Sequence, residues 1–480
     1  MSRRIQVVII ATIAVILLSL AGFWILSAAS ADAGDTSYPP IDNALSIYTS
    51  AVENMNSAEK VTLNITKNVS TTIGGEIFEE KSQISYSYQG LGTQDMLARA
   101  KETVTMGSHA FTTQERYADG KAYVTVNDSH FVSDISSADF SARFAPAVCF
   151  TPDLYARVSG VDTGDSYIIF FEKAGGVEGW ITDPRTGFVS GNGAAYISYD
   201  GKLLNSVYNV SYKNENAIVT LSYMIVPSPW EDLADNTDET ANYMQISYID
   251  GPKLLEKATG YLLQGQNLSA KYTENIYFEV FGDKRTQSID LYTGFEQDWC
   301  GLVKTQKTLV NTSREGEVSG SNETQLFLDN TFYASKDNGA LTAESSITTD
   351  VMKKYCQDRL LSTVIMPTHI GGCSITEGKT SVTVRFSGNE TFARLISENA
   401  CQTFYQNPDL LKQMAESSST KQLNCYLEVD KTTGLPLSAG IDYSGTFTIA
   451  EIPYELSFKA DQSYTIPNNG SMEIIKKAAE

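Results

Sequence analysis

The sequence runs through one order of predicted elements twice, and this repetition constrains the fold more than any other feature. The first copy opens at Ile41-Asp42 with apolar residues at helical spacing, and strand-like alternation follows at once. The same order restarts at Ile249-Asp250, which lies 208 positions further along the chain. The alternating apolar residues of the opening strands are Val61, Leu63 and Ile65 in the first copy and Ile276, Phe278 and Val280 in the second. A repeat of this length predicts two tandem copies of one unit.

The two copies also end alike, in a strand, a turn and further strands. This pattern begins at residue 196 in the first copy and at residue 426 in the second, an offset of 426 − 196 = 230. Residues 390–418 have helical spacing and account for the extra length as an insertion in the second copy. Chance similarity of two strand-rich segments is the alternative, because the copies match in pattern more than in identity.

The repeat sets the expected domains and the fold class. The two units are expected over residues 39–226 and 244–467, joined by an acidic, proline-containing linker at 227–243 and followed by a tail at 468–480. The 26 Tyr and 20 Phe against 13 Pro are typical of chains rich in ordered strands. We expect an α+β fold in which each unit is a curved antiparallel sheet packed with helices.

An uncharged apolar run at residues 7–29 follows Arg3 and Arg4. It is long enough to cross the roughly 30 Å hydrocarbon layer of a membrane as a helix, and the two arginines place its start in the cytoplasm. Residues 1–31 are therefore predicted to be a transmembrane anchor, in a single-pass protein of the cell membrane with an extracytoplasmic C-terminal bulk. A cleaved signal peptide, which would give a secreted protein, is the alternative because small residues surround position 31.

The opening and closing segments of the two units carry a resemblance to a known family. They are IDNALSIYTSAVENMNSAEKVTLNIT with YDGKLLNSVYNVSY, and IDGPKLLEKATGYLLQGQNLSAKYT with VDKTTGLPLSAGIDY. In this order of helix, strand meander, inserted helices and closing hairpin, the chain resembles the LolA/LolB lipoprotein-carrier superfamily over nearly all of residues 39–467. The resemblance implies that each unit is an open half-barrel around an apolar cavity for acyl chains. No residue of this chain could be matched to a ligand contact of the family.

The cysteines form no C-x-x-C pair, which argues against a zinc site or a thioredoxin-type redox motif. They are Cys149, Cys300, Cys356, Cys373, Cys401 and Cys425. Outside the cytoplasm disulfides are the default expectation, and proximity along the chain favours Cys356 with Cys373 and Cys401 with Cys425. Each bond would contribute about 3 kcal/mol of stability. Buried free thiols are the alternative.

The sequence contains no pattern typical of a nucleic-acid-binding, metal-binding or catalytic site. Lys+Arg 36 against Asp+Glu 57 gives a net charge of −21 at pH 7, which disfavours a nucleic-acid partner. The three histidines, His109, His130 and His369, lack the spacing of metal ligands. Residues 371–380 end like a phosphate-binding loop, but five residues instead of four separate the relevant glycines and a strand-like segment follows. We therefore predict no catalytic, cofactor-binding or metal-binding residue, and no enzyme.

The expected function is binding. We expect a membrane-anchored extracytoplasmic protein that binds a lipid, or the acyl chains of a lipoprotein, in its half-barrel cavities. The alternative is a cell-surface scaffold or sensory ectodomain that interacts with protein or cell-wall partners. An open apolar cavity would favour the first hypothesis, and a cavity filled by the chain's own helices would favour the second.

Overall fold

The computed structural model places the strands of this chain in two large sheets of twelve and eleven strands. The residues that it describes are 38–91, 93, 95–143, 157–173, 185–230, 242–279, 283–311, 316–344, 347–402 and 407–480. Neighbouring strands run antiparallel in both sheets, apart from one short parallel pair at an edge of the first sheet.

The first sheet comprises β1 (Lys60–Ile73), β2 (Glu76–Gln89), β3 (Leu97–Met106), β4 (His109–Ala118), β5 (Lys121–Val126), β6 (Ser129–Asp134), β7 (Arg157–Asp162), β8 (Ser166–Lys173), β9 (Phe188–Ser198), β10 (Leu203–Lys213), β11 (Ala217–Ser228) and β12 (Met244–Gln245). Their order is β12-β6-β5-β4-β3-β2-β1-β11-β10-β9-β8-β7. In the middle of the sheet, Ile65 of β1 lies between Ile84 of β2 and Ile225 of β11. The last long strand therefore pairs with the first.

The second sheet comprises β13 (Leu268–Phe278), β14 (Lys284–Phe295), β15 (Trp299–Asn311), β16 (Glu317–Leu328), β17 (Thr331–Lys336), β18 (Thr342–Glu344), β19 (Ile370–Glu377), β20 (Ser381–Gly388), β21 (Ser419–Asp430), β22 (Pro436–Ile449) and β23 (Ile452–Thr465). Their order is β18-β17-β16-β15-β14-β13-β23-β22-β21-β20-β19. Apart from β12, the two sheets share one strand order, with five strands on one side of the central pair (β1 with β11, or β13 with β23) and four on the other. On this shared order we propose the two tandem units at 39–226 and 244–467.

Eight α-helices lie in the described ranges, together with a short 3₁₀ helix at Pro367–His369. They are α1 (Ala44–Ser57), α2 (Ser137–Ala142), α3 (Gly251–Gln264), α4 (Thr349–Gln357), α5 (Leu361–Val364), α6 (Glu390–Gln402), α7 (Pro408–Glu416) and α8 (Ser471–Ala479). Helices α6 and α7 stand between β20 and β21. Helix α8 packs on β14, β15 and β16.

One face of each sheet is buried under helices. Along β3 the buried residues alternate with exposed ones, as in any strand with one face against a core. We call the buried side of the first sheet, on which α1 and α3 pack, its inner face. Tyr48 of α1 and Tyr208 of β10 meet there, with their hydroxyl oxygens 3.0 Å apart. The inner face of the second sheet is the side that carries Leu291 and Val303 and faces α4.

Two segments join the sheets to each other. Residues 244–247 run between β6 and β19, where the Ile246 amide donates to the Val132 carbonyl (2.8 Å) and the Ser247 amide donates to the Cys373 carbonyl (3.0 Å). Helix α3 follows directly and contacts β3 and β4 of the first sheet as well as β19 and β22 of the second. The second unit therefore opens with a helix that packs on the first.

The structure corrects the expected fold class. The described chain is mostly strand, in two large sheets with eight helices, and not an α+β fold led by a transmembrane helix. The physical reason is that period-two alternation continues through most of each unit, so strands of ten to fourteen residues such as β1, β2 and β22 dominate.

The prediction of a single-pass protein of the cell membrane is corrected as well. None of the helices in the described ranges is long and apolar enough to cross a membrane. The segment at 1–31, on which the anchor prediction rests, lies outside the described residues.

Candidate apolar binding site

Three carboxylates lie on the inner face of the first sheet. Glu80 of β2, Glu102 of β3 and Glu115 of β4 are 1%, 2% and 3% exposed. They occupy strand positions that alternation assigns to the core, where apolar residues are the rule. Because a buried, unpaired carboxylate costs several kcal/mol, each of them requires a cation or hydrogen-bond donors nearby.

Helix α3 supplies cations to two of these carboxylates. Lys257 Nζ lies 2.6 Å from Glu80 Oε1, and Lys67 Nζ of β1 lies 4.0 Å from the same oxygen. Lys253, one turn earlier on α3, forms an ion pair with Glu102. Burial alone would raise the pKa of Glu80, but Lys257 and Lys67 outweigh burial and lower it well below its ordinary value. The pKa of Glu102 is lowered in the same way, because Lys253 and Lys257 together outweigh burial.

The third carboxylate shares its cation with the residue that precedes α3. Arg143 Nη1 lies 2.6 Å from Glu115 Oε2, and Arg143 Nη2 donates to Asp250 Oδ1 at 2.5 Å. Burial raises the pKa of Glu115, because Arg143 compensates for only part of the lost hydration. At Asp250 burial acts in the same direction, but Arg143 and Lys253 outweigh it and lower the pKa. We call this set the charged cluster; its members are Lys67, Glu80, Glu102, Glu115, Arg143, Asp250, Lys253 and Lys257.

Further hydrogen bonds tie the second unit to the first beside the charged cluster. His109 Nε2 of β4 lies 2.9 Å from Glu256 Oε2 of α3. Arg185 Nη1 donates to the carbonyl oxygens of Thr432 and Thr433, in the turn after β21, at 3.0 and 2.9 Å. Helix α3 thus covers the inner face of the first sheet at β2 to β4. The chain's own helix stands where the resemblance predicts an open cavity.

The second sheet has a cavity on its inner face. It measures about 220 Å³ and lies between the end of α3, the facing ends of β14 and β15, and helix α4. Its apolar lining consists mainly of Leu262, Leu268, Leu291, Phe295, Trp299 and Leu360. Leu268, Leu291 and Leu360 are at most 3% exposed and form the floor, whereas Phe295 is 45% exposed and stands at the mouth. The cavity is therefore a slot with an apolar floor, open at one end, and we call it the apolar slot.

A glycine shapes one wall of this slot. The Trp299 ring lies against the backbone of Gly301 on the inner face, where any Cβ at position 301 would come within 2.7 Å of the indole. On its other side, Trp299 packs against Phe327 of β16 with ring centroids 6.1 Å apart. Gly301 therefore allows a large aromatic side chain to lie flat beside the cavity.

Polar side chains reach the cavity from α3 and α4. Gln264, Gln266, Lys353 and Gln357 line it together with the apolar floor. The Gln264 amide is already engaged, because its Oε1 accepts from the Glu79 amide (2.9 Å) and its Nε2 donates to the Gly260 carbonyl (3.4 Å). Lys353 is exposed and is the cation among the lining residues.

A larger cavity, of about 320 Å³, opens between α6 and α7. Most of its lining is charged or polar, with Arg394, Glu398, Gln402, Lys412 and Glu416. The smaller cavity beside Trp299 is the better candidate for binding, because its floor is buried and apolar.

The structure does not form the predicted disulfides. Cys300, Cys356, Cys373, Cys401 and Cys425 are all buried free thiols, and Cys149 lies outside the described residues. Cys356 lines the apolar cavity from α4, whereas Cys373 on β19 packs against Gly251 at the start of α3. Cys401 lies on α6 and Cys425 on β21. Proximity along the chain is therefore a poor guide to pairing here.

Burial also makes these thiols unreactive. It raises the pKa of Cys356, Cys373, Cys401 and Cys425 to about 12, and that of Cys300 to about 11. A thiolate is the reactive form of cysteine, so little of any of them is nucleophilic at neutral pH.

The histidines lie apart in the structure. His130 Nδ1 of β6 lies 3.0 Å from Thr125 Oγ1, and His369 Nδ1 lies 3.0 Å from the Val364 carbonyl oxygen. His109 contacts Glu256, as described above. Within the described ranges, no group of three or more His, Cys, Asp or Glu side chains is placed to hold a metal ion. Residues 378–380 form the turn of the β19–β20 hairpin.

Comparison with known proteins gives structural likenesses only. Neither a family model nor a curated protein sequence matches this chain. The lipoprotein LppX of Mycobacterium tuberculosis is similar at 12% identity and a TM-score of 0.25, over 39% of this chain and 95% of LppX. LprF of Mycobacterium bovis is similar at 14% identity and a TM-score of 0.24, over 46% of this chain and 96% of LprF. A DUF1329 family protein of Desulfovibrio piger is similar at 10% identity and a TM-score of 0.17, over 38% and 91%.

These likenesses are weak, with sequence identities of 10% to 14%. Each covers less than half of this chain, and all the TM-scores are below 0.5. Ligands and activities are therefore not transferred from these proteins. What this chain does has to be argued from its own cavity and its own charges.

Proposed function

We propose that this chain is a binding protein that holds one slender apolar group, such as the end of an acyl chain of a lipid or lipoprotein, and performs no catalysis. The observation that carries the proposal is the slot beside Trp299, whose floor of Leu268, Leu291 and Leu360 is buried and whose mouth at Phe295 is open. An apolar slot closed at one end accepts the tip of a chain and leaves the rest outside.

The size of the cavity limits the ligand. At about 220 Å³ it exceeds the apolar cavity of about 150 Å³ that accepts benzene. It is smaller than the roughly 300–1,000 Å³ pockets that enclose drug-sized ligands. We therefore propose that only part of a lipid enters the slot and that one apolar chain fills it.

The number of sites also follows from the fold. The resemblance predicts one cavity in each unit, but α3 and the charged cluster occupy the first sheet at β2 to β4. We propose a single site, in the second unit.

A second candidate function is an interaction scaffold that has no small ligand. It is favoured by the same placement of α3, because a helix that fixes the two sheets to each other suits a rigid surface for a protein partner. The two functions differ in one measurable respect. A scaffold has no affinity that depends on the length of an alkyl chain.

The test is a chain-length series. Binding of C6 to C14 alcohols to the purified, detergent-free chain is measured by displacement of a fluorescent fatty acid. Each methylene that enters the slot contributes about 0.8 kcal/mol, so Kd should fall about fourfold per added methylene until the slot is full, and then level off. A flat series, or no displacement at all, contradicts the proposal and favours the scaffold.

A pair of variants localises the site. Gln357→Trp places a bulky ring in the slot from a half-buried position on α4 and should weaken binding of the best alcohol at least tenfold. Lys354→Trp puts the same ring at an exposed position on the same helix, where the side chain pairs with Asp358, and should leave Kd unchanged. Equal effects of the two variants would place the ligand elsewhere. Circular dichroism of both variants checks that the sheets are intact.

A further inference from the structure

Lys353 gives the mouth of the apolar slot a positive charge. It lies on α4, is exposed, and lines the cavity together with Gln266 and Gln357. The next residue, Lys354, lines no part of the cavity, and its Nζ donates to Asp358 Oδ1 at 3.1 Å one turn further along the helix. Two adjacent lysines thus have different surroundings, one at the slot and one in a surface ion pair.

The loop beside the mouth carries negative charges, so the charge of Lys353 contrasts with it. The loop from β14 to β15 carries Glu296 and Asp298, neither of which lines the cavity. Glu296 accepts from Lys476 of α8 at 2.5 Å, so its charge is compensated locally. The whole chain has a net charge of −21 at pH 7 and repels anions in general. A preference for an anionic ligand would therefore have to come from a local cation at the site.

We propose that Lys353 selects an apolar ligand with an anionic headgroup, a carboxylate or a phosphate monoester. The slot takes the end of the chain, and the headgroup stays at the mouth, within reach of the ammonium group and the amide donors of Gln266 and Gln357. This inference rests on the proposed function, because it concerns the same slot. It adds the class of ligand that the slot prefers.

The expected effect is modest and selective. An ion pair at an exposed position contributes little to affinity, so removal of the Lys353 charge should weaken binding of an anion about two- to fivefold. Binding of a neutral ligand with the same chain should not change, since the apolar contacts remain. The ratio of the two affinities reports on the headgroup alone.

The experiment uses decanoate, decyl phosphate and 1-decanol at pH 7.5, with the full chain and with Lys353→Met, Lys353→Arg and Lys354→Met. In Lys353→Met the affinity for decanoate relative to decanol should fall two- to fivefold. Lys353→Arg, which keeps the charge, should restore the ratio, and Lys354→Met should match the unaltered chain. Added salt should lower the ratio of the unaltered chain towards that of Lys353→Met, because ions screen an exposed pair. A larger loss for decyl phosphate than for decanoate would assign the preference to phosphate esters, and the reverse result to fatty acids.

The outcomes separate the two claims. If decanol and decanoate bind with the same ratio in Lys353→Met as in the unaltered chain, the headgroup inference is wrong while the apolar slot stands. If Lys354→Met changes the ratio as much as Lys353→Met does, general surface charge is responsible and the inference is wrong. If none of the three ligands binds the unaltered chain, the proposed function fails and the inference fails with it.

Discussion

Replacing Lys257 by Met should destabilise the protein by about 3 kcal/mol, through the charge that it leaves behind on Glu80. The Glu80 side chain is fully buried, and its closest cation is Lys257 at 2.6 Å. Removal of one partner of a buried ion pair typically costs 3–5 kcal/mol. We expect the lower end of this range, because Lys67 lies 4.0 Å from the same oxygen and still offsets part of the charge.

The effect should depend on pH in a defined direction. In the unaltered chain the pKa of Glu80 is below its unfolded value, so this residue stabilises the fold above about pH 4.5 and the contribution is lost as the pH falls further. In Lys257→Met burial should dominate and raise the pKa of Glu80 above the unfolded value. The buried charge then costs stability at neutral pH, and protonation relieves that cost on acidification. The difference between the two proteins should therefore shrink between pH 7.5 and pH 5.

Urea denaturation followed by circular dichroism measures this difference. Glu80→Gln in the Lys257→Met background should recover most of the loss, because an amide can still accept from the Tyr261 hydroxyl, which lies 3.5 Å from Glu80 Oε2. Lys354→Met breaks the exposed ion pair between Lys354 and Asp358, which lie four residues apart. It should cost less than about 0.5 kcal/mol of stability. The reasoning is refuted if Lys257→Met costs no more than this control, or if the double variant is no more stable than Lys257→Met.

Three further predictions concern packing, a buried hydrogen bond and the thiols. Gly251→Ala places a methyl group against Cys373 Sγ and should lower the free energy of unfolding, measured by urea denaturation, by about 1–3 kcal/mol. Cys373→Ala in the same chain should recover most of this loss. A Gly251→Ala variant as stable as the unaltered chain would contradict this packing. Tyr48→Phe removes the 3.0 Å hydrogen bond to Tyr208 and should lower the free energy of unfolding by about 1 kcal/mol in the same assay. If the effects of Tyr48→Phe and Tyr208→Phe simply add in the double variant, the two hydroxyls do not interact. The five described thiols should react slowly with a thiol reagent at pH 8 in the native protein and fully after unfolding without reductant, whereas missing thiols in the unfolded protein would indicate disulfides.

The sequence predicts which residues of a strand share the face that lies on the core. It does not predict which elements pack on the opposite face. Leu63 and Ile65 alternate in the sequence and are 0% and 2% exposed, because one face of β1 lies on the core. Thr62 has the opposite phase and is nevertheless 0% exposed, with its Oγ1 2.8 Å from Ser87 Oγ. Alternation identifies the two faces of a strand and carries no information about the elements that pack on the second one.

The sequence does contain a signal for the charged cluster. Phe78, Glu80 and Ser82 share one phase of β2, so the pattern itself assigns the Glu80 carboxylate to the buried face. Glu102 on β3 and Glu115 on β4 are likewise acidic residues at positions that alternation assigns to the buried face. Acidic residues at core positions of three consecutive strands predict a buried cation, although the sequence does not say that α3 of the second unit supplies it.

The candidate binding site could not be predicted from the sequence. Its lining comes mainly from five elements spread over residues 262–360, and the residues of each element also have ordinary roles in a strand or helix. Leu291 alternates as a core residue, and Lys353 resembles any exposed lysine of an amphipathic helix. A cavity arises where packing between elements is incomplete, which depends on their relative placement in three dimensions.

The junction at residues 244–247 affects how the molecule could be divided. A break there would not release two smaller proteins, because it would take the cations of α3 away from carboxylates on β2 and β3 and remove the hydrogen-bonding neighbour of β19. In the first fragment, unpaired carboxylates would lie on a sheet face that is buried in the intact protein. In the second fragment, β19 would have a free edge with which strands of other chains can pair. The two sheets are thus mutually dependent, and engineering of this molecule has to keep both of them in one chain.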